Sequence, residues 1–375
     1  MSSAPLSKSS KPPVILLAGG GTAGHIEPAL AVADELTKIR PEIKCEFLGT
    51  DGALEALLVP KRGYSLRTVK KVVLPRSING KFFLFPFQLV VSVLQAIKAL
   101  REVDLLIGFG GYVSAPAYLA AYLKKVPIVV HEANAKPGWA NKLGRSFAKV
   151  VAVNFETVRR QWPGAVLTGM PIRNTLSAVS KIQDRASFKK ENCVLWGLNP
   201  NKPLIAIFGG SQGSQYMNSV IAQALPKLSD IQIIHAVGIN NQLPERSESY
   251  LPLPYFHDMA AIYGSADLVI SRSGAVTCSE LASVGRFAIL IPLPHGNGEQ
   301  IDNAKALEDK GAAAMIKNEE FTANWLVSNI NEILVSANRF KPVEIGLNED
   351  AAKRIAELAL GVLDIDNGQE SDGRR

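Results

Sequence analysis

The chain has 375 residues, 47% of them hydrophobic and 20% charged, with a formal net charge of +7. This is the composition of a globular protein with a large core, and the length accommodates two domains of ordinary size. The positive balance suits an anionic partner, such as a phosphorylated substrate or an acidic membrane surface. No helix-turn-helix, zinc or RNA-binding signature is present, which argues against nucleic acid. The three cysteines, Cys45, Cys193 and Cys278, lie far apart and give neither a disulfide framework nor a zinc spacing, as expected of a reducing cytosol.

Residues 1–12 lack the apolar stretch of a signal peptide and read as a flexible tail. Val14–Ala18 is a continuous apolar strand of the kind buried in a parallel sheet. A Gly-rich loop, Gly19–Gly24, follows, then His25, and the pattern predicts a helix from about Pro28 to Ile39 with proline in its first turn. Cys45–Leu48 predicts a strand and Leu54–Lys61 a helix. The apolar run Phe82–Leu100 is interrupted by Pro86, Gln88, Gln95 and Lys98. It reads as a helix packed on a sheet with an exposed apolar N-terminal end, because polar groups in a membrane span are costly. Strands at Asp104–Gly108, Ile128–His131 and Lys149–Val153, with a helix at Ala115–Leu123, continue the alternation and predict a doubly wound α/β domain.

The pattern pauses near Thr168–Arg173, and Ser177–Lys202 is polar and mixed. It restarts with strand Leu204–Phe208, the loop Gly209–Ser214 and a helix from about Tyr216 to Leu228. Further strands are expected at Ile231–Val237, Leu268–Ser271, Ala288–Ile291 and Ala313–Ile316. Between two of them a helix at Thr277–Val284 is expected, capped by Thr277 or Ser279, with Glu280 in its first turn. Asn348–Leu363 reads as a last amphipathic helix and 364–375 as a disordered tail. The expectation is two similar α/β domains, 13–172 and 173–347, with the last helix docked on one of them.

Several loops carry polar groups at the ends of predicted strands. Gly19, Gly21 and Gly24 match G-x-G-x-x-G, but the acidic residue wanted at the end of the second strand is absent, since Asp51 comes late and behind a glycine. The competing reading is that the glycines let a substrate approach the backbone, with His25 at the crevice as a base; a structural histidine at a helix start is the plain alternative. Gly110, Gly111 and Tyr112 follow one strand, and His131, Glu132 and Asn134 follow another, as site lining or as a structural turn. The stretch Val269–Ala304 has the parts needed to hold a sugar nucleotide: a helix N-terminus behind a small-residue loop for phosphate, Glu280 for ribose hydroxyls, and a second loop ending in polar residues at Gln300. An ordinary βαβ unit is the alternative. Ser211 can donate to a phosphate. No D-x-D motif stands near these loops, so neutralisation falls to helix N-termini and Arg173, and no metal spacing is seen. Arg76 and Lys81 precede Phe82, Phe83 and Phe85; cations around an apolar patch fit a monotopic membrane contact. A solvated face beside a buried helix is the alternative there.

Taken together, GGGTAGHIEP, IGFGGYVSAP, HEANAKPGWANK, TGMPIR, GGSQGS, HDMAAIY, SRSGAVTCSELA and HGNGEQIDNA resemble, in the same order, the motifs of the MurG family of bacterial peptidoglycan synthesis. The match runs from about Val14 to Leu363. The resemblance implies a GT-B fold, two Rossmann-like domains facing a cleft, with the last helix returning to the first domain. It implies transfer of N-acetylglucosamine from UDP-N-acetylglucosamine, with inversion, to the C4 hydroxyl of the muramyl sugar of lipid I, giving lipid II and UDP. It further implies peripheral attachment to the cytoplasmic face of the cell membrane, cell-wall synthesis proteins as candidate partners, and no cofactor beyond a non-essential divalent cation.

By the same resemblance Thr22, Ala23 and Gly24 border the donor and acceptor phosphates, and His25 is the general base, with Glu132 as second candidate. Gly110, Gly111, Tyr112 and His131 lie on the acceptor side. Asn134, Arg173 and Ser211 match donor contacts, and the backbone at Phe256 reads uracil. Ala275, Val276, Thr277, Cys278, Ser279 and Glu280 meet the diphosphate and ribose, with Glu280 on the ribose hydroxyls; Gln300 holds the sugar hydroxyls. Two departures stand out. Ala23 replaces a glycine of many relatives, and Glu299 replaces a glutamine, although an ionised carboxylate cannot donate a hydrogen bond. The alternatives are a diacylglycerol glycosyltransferase, a UDP-N-acetylglucosamine 2-epimerase, which needs no membrane patch, and a non-catalytic membrane scaffold.

Overall fold

A computed structural model describes residues 11–71, 80–172, 174–294, 297–341 and 350–372. Among these, the strands β1 (Val14–Ala18), β2 (Lys44–Gly49), β3 (Ser65–Thr68), β4 (Leu105–Gly108), β5 (Ile128–Glu132), β6 (Val150–Val153) and β7 (Val166–Leu167) form one sheet in the order β3-β2-β1-β4-β5-β6-β7. A second sheet holds β8 (Leu204–Phe208), β9 (Gln232–Ala236), β10 (Tyr250–Leu253), β11 (Leu268–Ser271), β12 (Ala288–Leu290) and β13 (Ala313–Met315) in the order β10-β9-β8-β11-β12-β13. Every pairing in both sheets is parallel. Strands β1, β4, β8 and β11, apolar but for Ser271 at the end of β11, are buried along their whole length, because helices cover both faces of each sheet.

In the first domain the helices are α1 (Ala23–Ile39), α2 (Leu54–Lys61), α3 (Gly80–Ala99), α4 (Ser114–Lys124), α5 (Trp139–Arg145) and α6 (Glu156–Gln161). In the second they are α7 (Arg185–Trp196), α8 (Gln215–Ala224), α9 (Met259–Ser265), α10 (Ala275–Val284), α11 (Glu299–Glu308) and α12 (Ala323–Arg339), followed by a last helix α13 (Ala351–Asp372). Helix α13 packs on α1: Ile355, Ala356, Ala359 and Leu363 join Leu30, Ala33 and Leu36 in one core. Its Arg354 guanidinium donates twice to the Thr168 carbonyl, at 3.0 and 2.8 Å, so the chain returns to the segment where it first left the domain.

The structure departs from the sequence expectations at several ends. Helix α1 begins at Ala23, not Pro28, so Pro28 sits inside it and His25 falls in its first turn. The last helix extends to Asp372, through most of the segment expected to be disordered. Two short edge strands, β3 and β7, were not foreseen because half-exposed residues leave them no apolar run. Strand β10 carries Pro252, which an edge position tolerates because one side of the strand needs no ladder bond. The polar segment after Thr168–Arg173 is a 3₁₀ turn and α7, whose Leu176, Val179 and Cys193 pack into the second core.

Candidate active site

In an open parallel sheet, ligands bind beyond the strand C-termini where the strand order reverses. That point lies between β1 and β4 in the first domain and between β8 and β11 in the second. The Gly19–Gly24 loop leaves β1 and the 109–112 loop leaves β4, so the two meet there. Gly111 has φ +85°, and a Cβ on it would stand 2.5 Å from the Gly20 carbonyl oxygen. Only glycine suits both the left-handed backbone and the close approach. Gly111→Ala is expected to cost about 1–3 kcal/mol of stability and to lower turnover by parting the two loops. A thermal melt with a rate measurement checks both.

Glu55, fully buried in the first turn of α2, fixes the first loop from behind. Its carboxylate accepts from the amides of Gly21 (3.0 Å) and Thr50 (2.9 Å) and from the Thr50 hydroxyl (2.9 Å). On the other side of the loop His25 is half-buried, with Nδ1 3.4 Å from Thr22 Oγ1. A Cβ on Gly110 would stand 3.3 Å from Nε2, so that nitrogen faces the gap between the loops. Burial pulls the His25 pKa down to about 4, against the opposing pull of the Glu55 charge. The imidazole is therefore neutral near pH 7 and able to take a proton. Lys71 lies 4.7 Å from the centre of the Tyr112 ring, at the outer end of the same pair of loops.

Strand β5 runs one residue longer than expected and carries His131 and Glu132 inside. His131 has no exposed surface, and its Nε2 lies 3.1 Å from the Gly169 carbonyl. Burial lowers its pKa to about 4. It braces the interdomain segment from within the strand. Glu132 is equally buried. One oxygen accepts from the Asn134 amide (2.9 Å) and side chain (3.3 Å), the other from the Gly138 amide (3.1 Å) and Asn141 Nδ2 (3.0 Å). Burial raises its pKa while these donors oppose the rise. Four donors on an enclosed carboxylate hold the 133–138 turn in shape; that environment does not suit Glu132 as an alternative base. Tyr118, donating to Asn141 Oδ1 at 2.8 Å, supports the cluster from below.

In the second domain Arg272 leaves the end of β11 and ties three loops together. It donates to the Ile291 and Pro292 carbonyls, both at 3.1 Å, and to Ser214 Oγ at 2.8 Å. Ser214 is also the N-cap of α8. Among the described residues no carboxylate pairs with Arg272, whose guanidinium lies beside the Gly209–Ser214 loop. Ser211 is half-buried in that loop, its carbonyl accepting from the Ile239 amide at 3.3 Å.

Helix α10 starts at Ala275 with Gly274 as N-cap, and no side chain caps it. The expected caps Thr277 and Ser279 lie inside the helix. Its opening amides thus lack the usual side-chain acceptor and carry the positive dipole end. Glu280 consequently lies in the second turn, buried, with Oε2 accepting from the Tyr263 hydroxyl at 2.9 Å. Cys278 points into the core, where burial pushes its thiol pKa up, so only its backbone can serve a ligand. Ala275 and Val276 are likewise taken: with Ala133, Met170, Phe155 and Ile172 they form an apolar contact between the domains. Ser279 Oγ lies 3.1 Å from Asn154 Nδ2 of the first domain. Phe256 is buried edge-on against Phe208, which leaves its backbone to act.

At the start of α11, Gln300 Oε1 accepts from the Leu293 amide at 3.0 Å. Glu299 and Asn297 exchange hydrogen bonds, the Glu299 carboxylate accepting from the Asn297 amide at 3.1 Å and Asn297 Oδ1 from the Glu299 amide at 3.2 Å. The departure at Glu299 thus has a local role in shaping the turn that leads into α11. Arg173 and Arg76 lie outside the described residues, as do the side chains of Lys81, Phe82 and Phe83.

Across the cleft the two helix N-termini face each other: a Cβ on Gly24 in α1 would stand 4.0 Å from a Val276 methyl in α10. Thr22, Ala23, Gly24 and His25 therefore lie opposite Ala275–Thr277, and Asn134 reaches α11 through Asn303, 3.2 Å away. Glu55, Asn141, Arg272 and Asn303 were not singled out from the sequence. Arg272 had a signal, a cation directly after an apolar strand; the others look like ordinary helix and loop residues. Among the described residues, no three His, Cys, Asp or Glu side chains come together to hold a metal ion.

Two doubly wound domains with their loop-bearing strand ends turned toward one cleft define the GT-B fold, and the family matches make this chain a glycosyltransferase of that fold. Residues 15–153 match the glycosyltransferase family 28 N-terminal domain and residues 204–358 the family 28 C-terminal domain. The chain belongs to the MurG family within this group, being 43% identical to the UDP-N-acetylglucosamine--N-acetylmuramyl-(pentapeptide) pyrophosphoryl-undecaprenol N-acetylglucosamine transferase of Corynebacterium diphtheriae over 94% of this chain and 96% of that one. The crystal structure of Acinetobacter baumannii MurG is similar at TM-score 0.64 and 26% identity, covering 93% of this chain and 99% of that one. The fold is shared more widely: a UDP-GlcNAc 2-epimerase from Neisseria meningitidis superimposes at TM-score 0.57 with 12% identity, over 93% and 99% of the two chains.

Proposed function

We propose that this protein transfers N-acetylglucosamine from UDP-N-acetylglucosamine to the C4 hydroxyl of the muramyl sugar of lipid I, forming lipid II and UDP with inversion. The observation that carries the reading is the facing of two helix N-termini, one bearing a neutral His25 and the other free of a side-chain cap. The uncapped turn of α10 and the Arg272 charge behind it suit a diphosphate, and Glu280 in the next turn suits the ribose hydroxyls. Phe256 offers its backbone to uracil, Ser211 serves the diphosphate, and Asn134 and Gln300 serve the sugar. In the reaction His25 Nε2 takes the proton of the C4 hydroxyl as its oxygen attacks the anomeric carbon from the face opposite UDP. The new glycosidic bond forms as the bond from that carbon to the phosphate oxygen breaks. The charge left on UDP faces the α10 amides, and Glu55 favours the imidazolium as it forms.

The lipid-linked acceptor is supported by α3. Its Leu84, Phe87, Val90, Val91 and Leu94 are exposed, Phe87 by 73%, and Lys70, Lys98 and Arg101 are exposed about its C-terminal half, where Gln95 Oε1 accepts from the Lys70 amide at 2.8 Å. Phe85, by contrast, is half-buried, and the exposed stripe runs on to Leu94. No helix among the described residues is long and apolar enough to cross a membrane. Peripheral attachment through this stripe to an anionic surface, on the face of the membrane where the donor is found, fits both observations. The epimerase alternative shares the fold but has no use for such a stripe.

Turnover of labelled UDP-N-acetylglucosamine with a short-chain lipid I analogue tests the reaction, with UDP and a lipid-linked disaccharide expected together. Conversion of the donor to its C2 epimer would overturn it. Co-sedimentation with anionic vesicles is expected, and Phe87→Glu with Leu94→Glu should abolish it while leaving turnover of the short-chain analogue in place.

A further inference from the structure

Asn303 lies on α11, three residues beyond Gln300, and has no exposed surface. Its carboxamide spans the two domains. The Ala135 amide donates to Oδ1 at 2.9 Å, while Nδ2 donates to Asn134 Oδ1 at 3.2 Å and to the Ser273 carbonyl at 3.2 Å. The orientation of each amide is fixed by chemistry. A backbone N–H can only donate, so the atom of Asn303 facing Ala135 must be its oxygen. The carboxylate of Glu132 can only accept, so the nitrogen of Asn134 must face Glu132 and its oxygen must face Asn303. Ser273 closes the unit by donating from Oγ to the Gln300 carbonyl at 2.8 Å.

We propose that Asn303 is a positioning residue for glycosyl transfer. It locks the 133–138 turn of the first domain to the Ser273 loop and the first turn of α11 in the second, so that the His25 side of the cleft and the sugar held by Gln300 keep one register. It also holds the Asn134 carboxamide with a free N–H available to the donor. The inference rests on the donor site described above, and its consequences fall on the transfer step. UDP lacks the sugar that this link keeps in register, so its affinity is expected to be nearly insensitive to Asn303.

The test uses the full-length protein with Asn303→Ala, Asn303→Asp and Asn134→Ala. For Asn303→Ala, calorimetry is expected to give UDP affinity within about twofold of the unaltered protein, with kcat lower by about tenfold or more. Asn134→Ala combined with Asn303→Ala should lose no more than about the larger single loss, because both changes cut the same link. Asn303→Asp keeps the shape and the acceptor for Ala135 but, when ionised, cannot donate. Its turnover should rise as pH falls from about 8 to about 5.5 and the introduced carboxyl regains a proton, while the unaltered protein stays flat. This isosteric variant also carries the test should Asn303→Ala not fold. An unchanged kcat, multiplied losses in the double variant, or a pH profile for Asn303→Asp like that of the unaltered protein would each overturn the proposal. Failure of the unaltered protein to bind UDP would instead overturn the donor-site reading.

Discussion

His25→Ala is expected to lower kcat by about 100- to 10,000-fold, the usual contribution of a positioned general base, with little change in donor affinity. The expectation rests on a nitrogen directed into the gap between two loops and on a pKa of about 4. It carries a pH signature. An unperturbed histidine would switch kcat/KM off as pH falls through about 6.5. Here the acid limb should lie well below that, with activity roughly level from about pH 7.5 to about 5.5. Glu55→Gln removes the charge that opposes burial, so it should move the limb lower still and slow the reaction. Stability must be followed in parallel. His25, His131 and His235 all have pKa values lowered to about 4. The unfolded chain therefore takes up protons between about pH 6.5 and 4 that the folded one refuses, and stability falls across that window as pH is lowered. A rate loss that tracked unfolding rather than the state of His25 would leave the base unassigned.

Glu280→Ala is expected to weaken UDP binding by about 10- to 100-fold, as follows from losing charge-assisted hydrogen bonds of about 1.5–3 kcal/mol. The buried Tyr263 hydroxyl loses its acceptor in the same variant, which adds a stability cost independent of the ligand. Comparing UDP with uridine monophosphate separates the two effects: both should weaken by the same factor if the ribose contact is lost, because they share the ribose. An affinity for UDP equal to that of the unaltered protein would remove the ribose role from Glu280.

Domain number, the parallel α/β class and the Gly-rich strand ends were legible in the sequence for a physical reason. A strand buried on both faces is mostly apolar, and a loop that presses on another backbone in a left-handed conformation favours glycine; β1, β8 and Gly111 show the two tendencies. The ends of elements were less legible. Helix α10 starts two residues before the residues that look like its caps, because Gly274 adopts the extended N-cap conformation, φ −62° and ψ 148°, by itself. That difference moves Glu280 into the second turn and leaves the opening amides to a ligand.

The sequence by itself determined the chemistry available: a histidine after a flexible loop, a carboxylate inside a helix that follows a small-residue turn, and a basic chain with an apolar helix. Only the tertiary structure decided which of these groups face a substrate. His131, Glu132 and Cys278 carry reactive side chains beside the motifs, yet burial engages them in the interior. Asn303, an unremarkable amide on a polar helix, becomes a link between domains because both its acceptor and its donors meet partners distant in sequence. Periodicity reports which face of an element is apolar; it carries no information on what that face meets across a cleft, and in a two-domain protein the site is formed by that meeting.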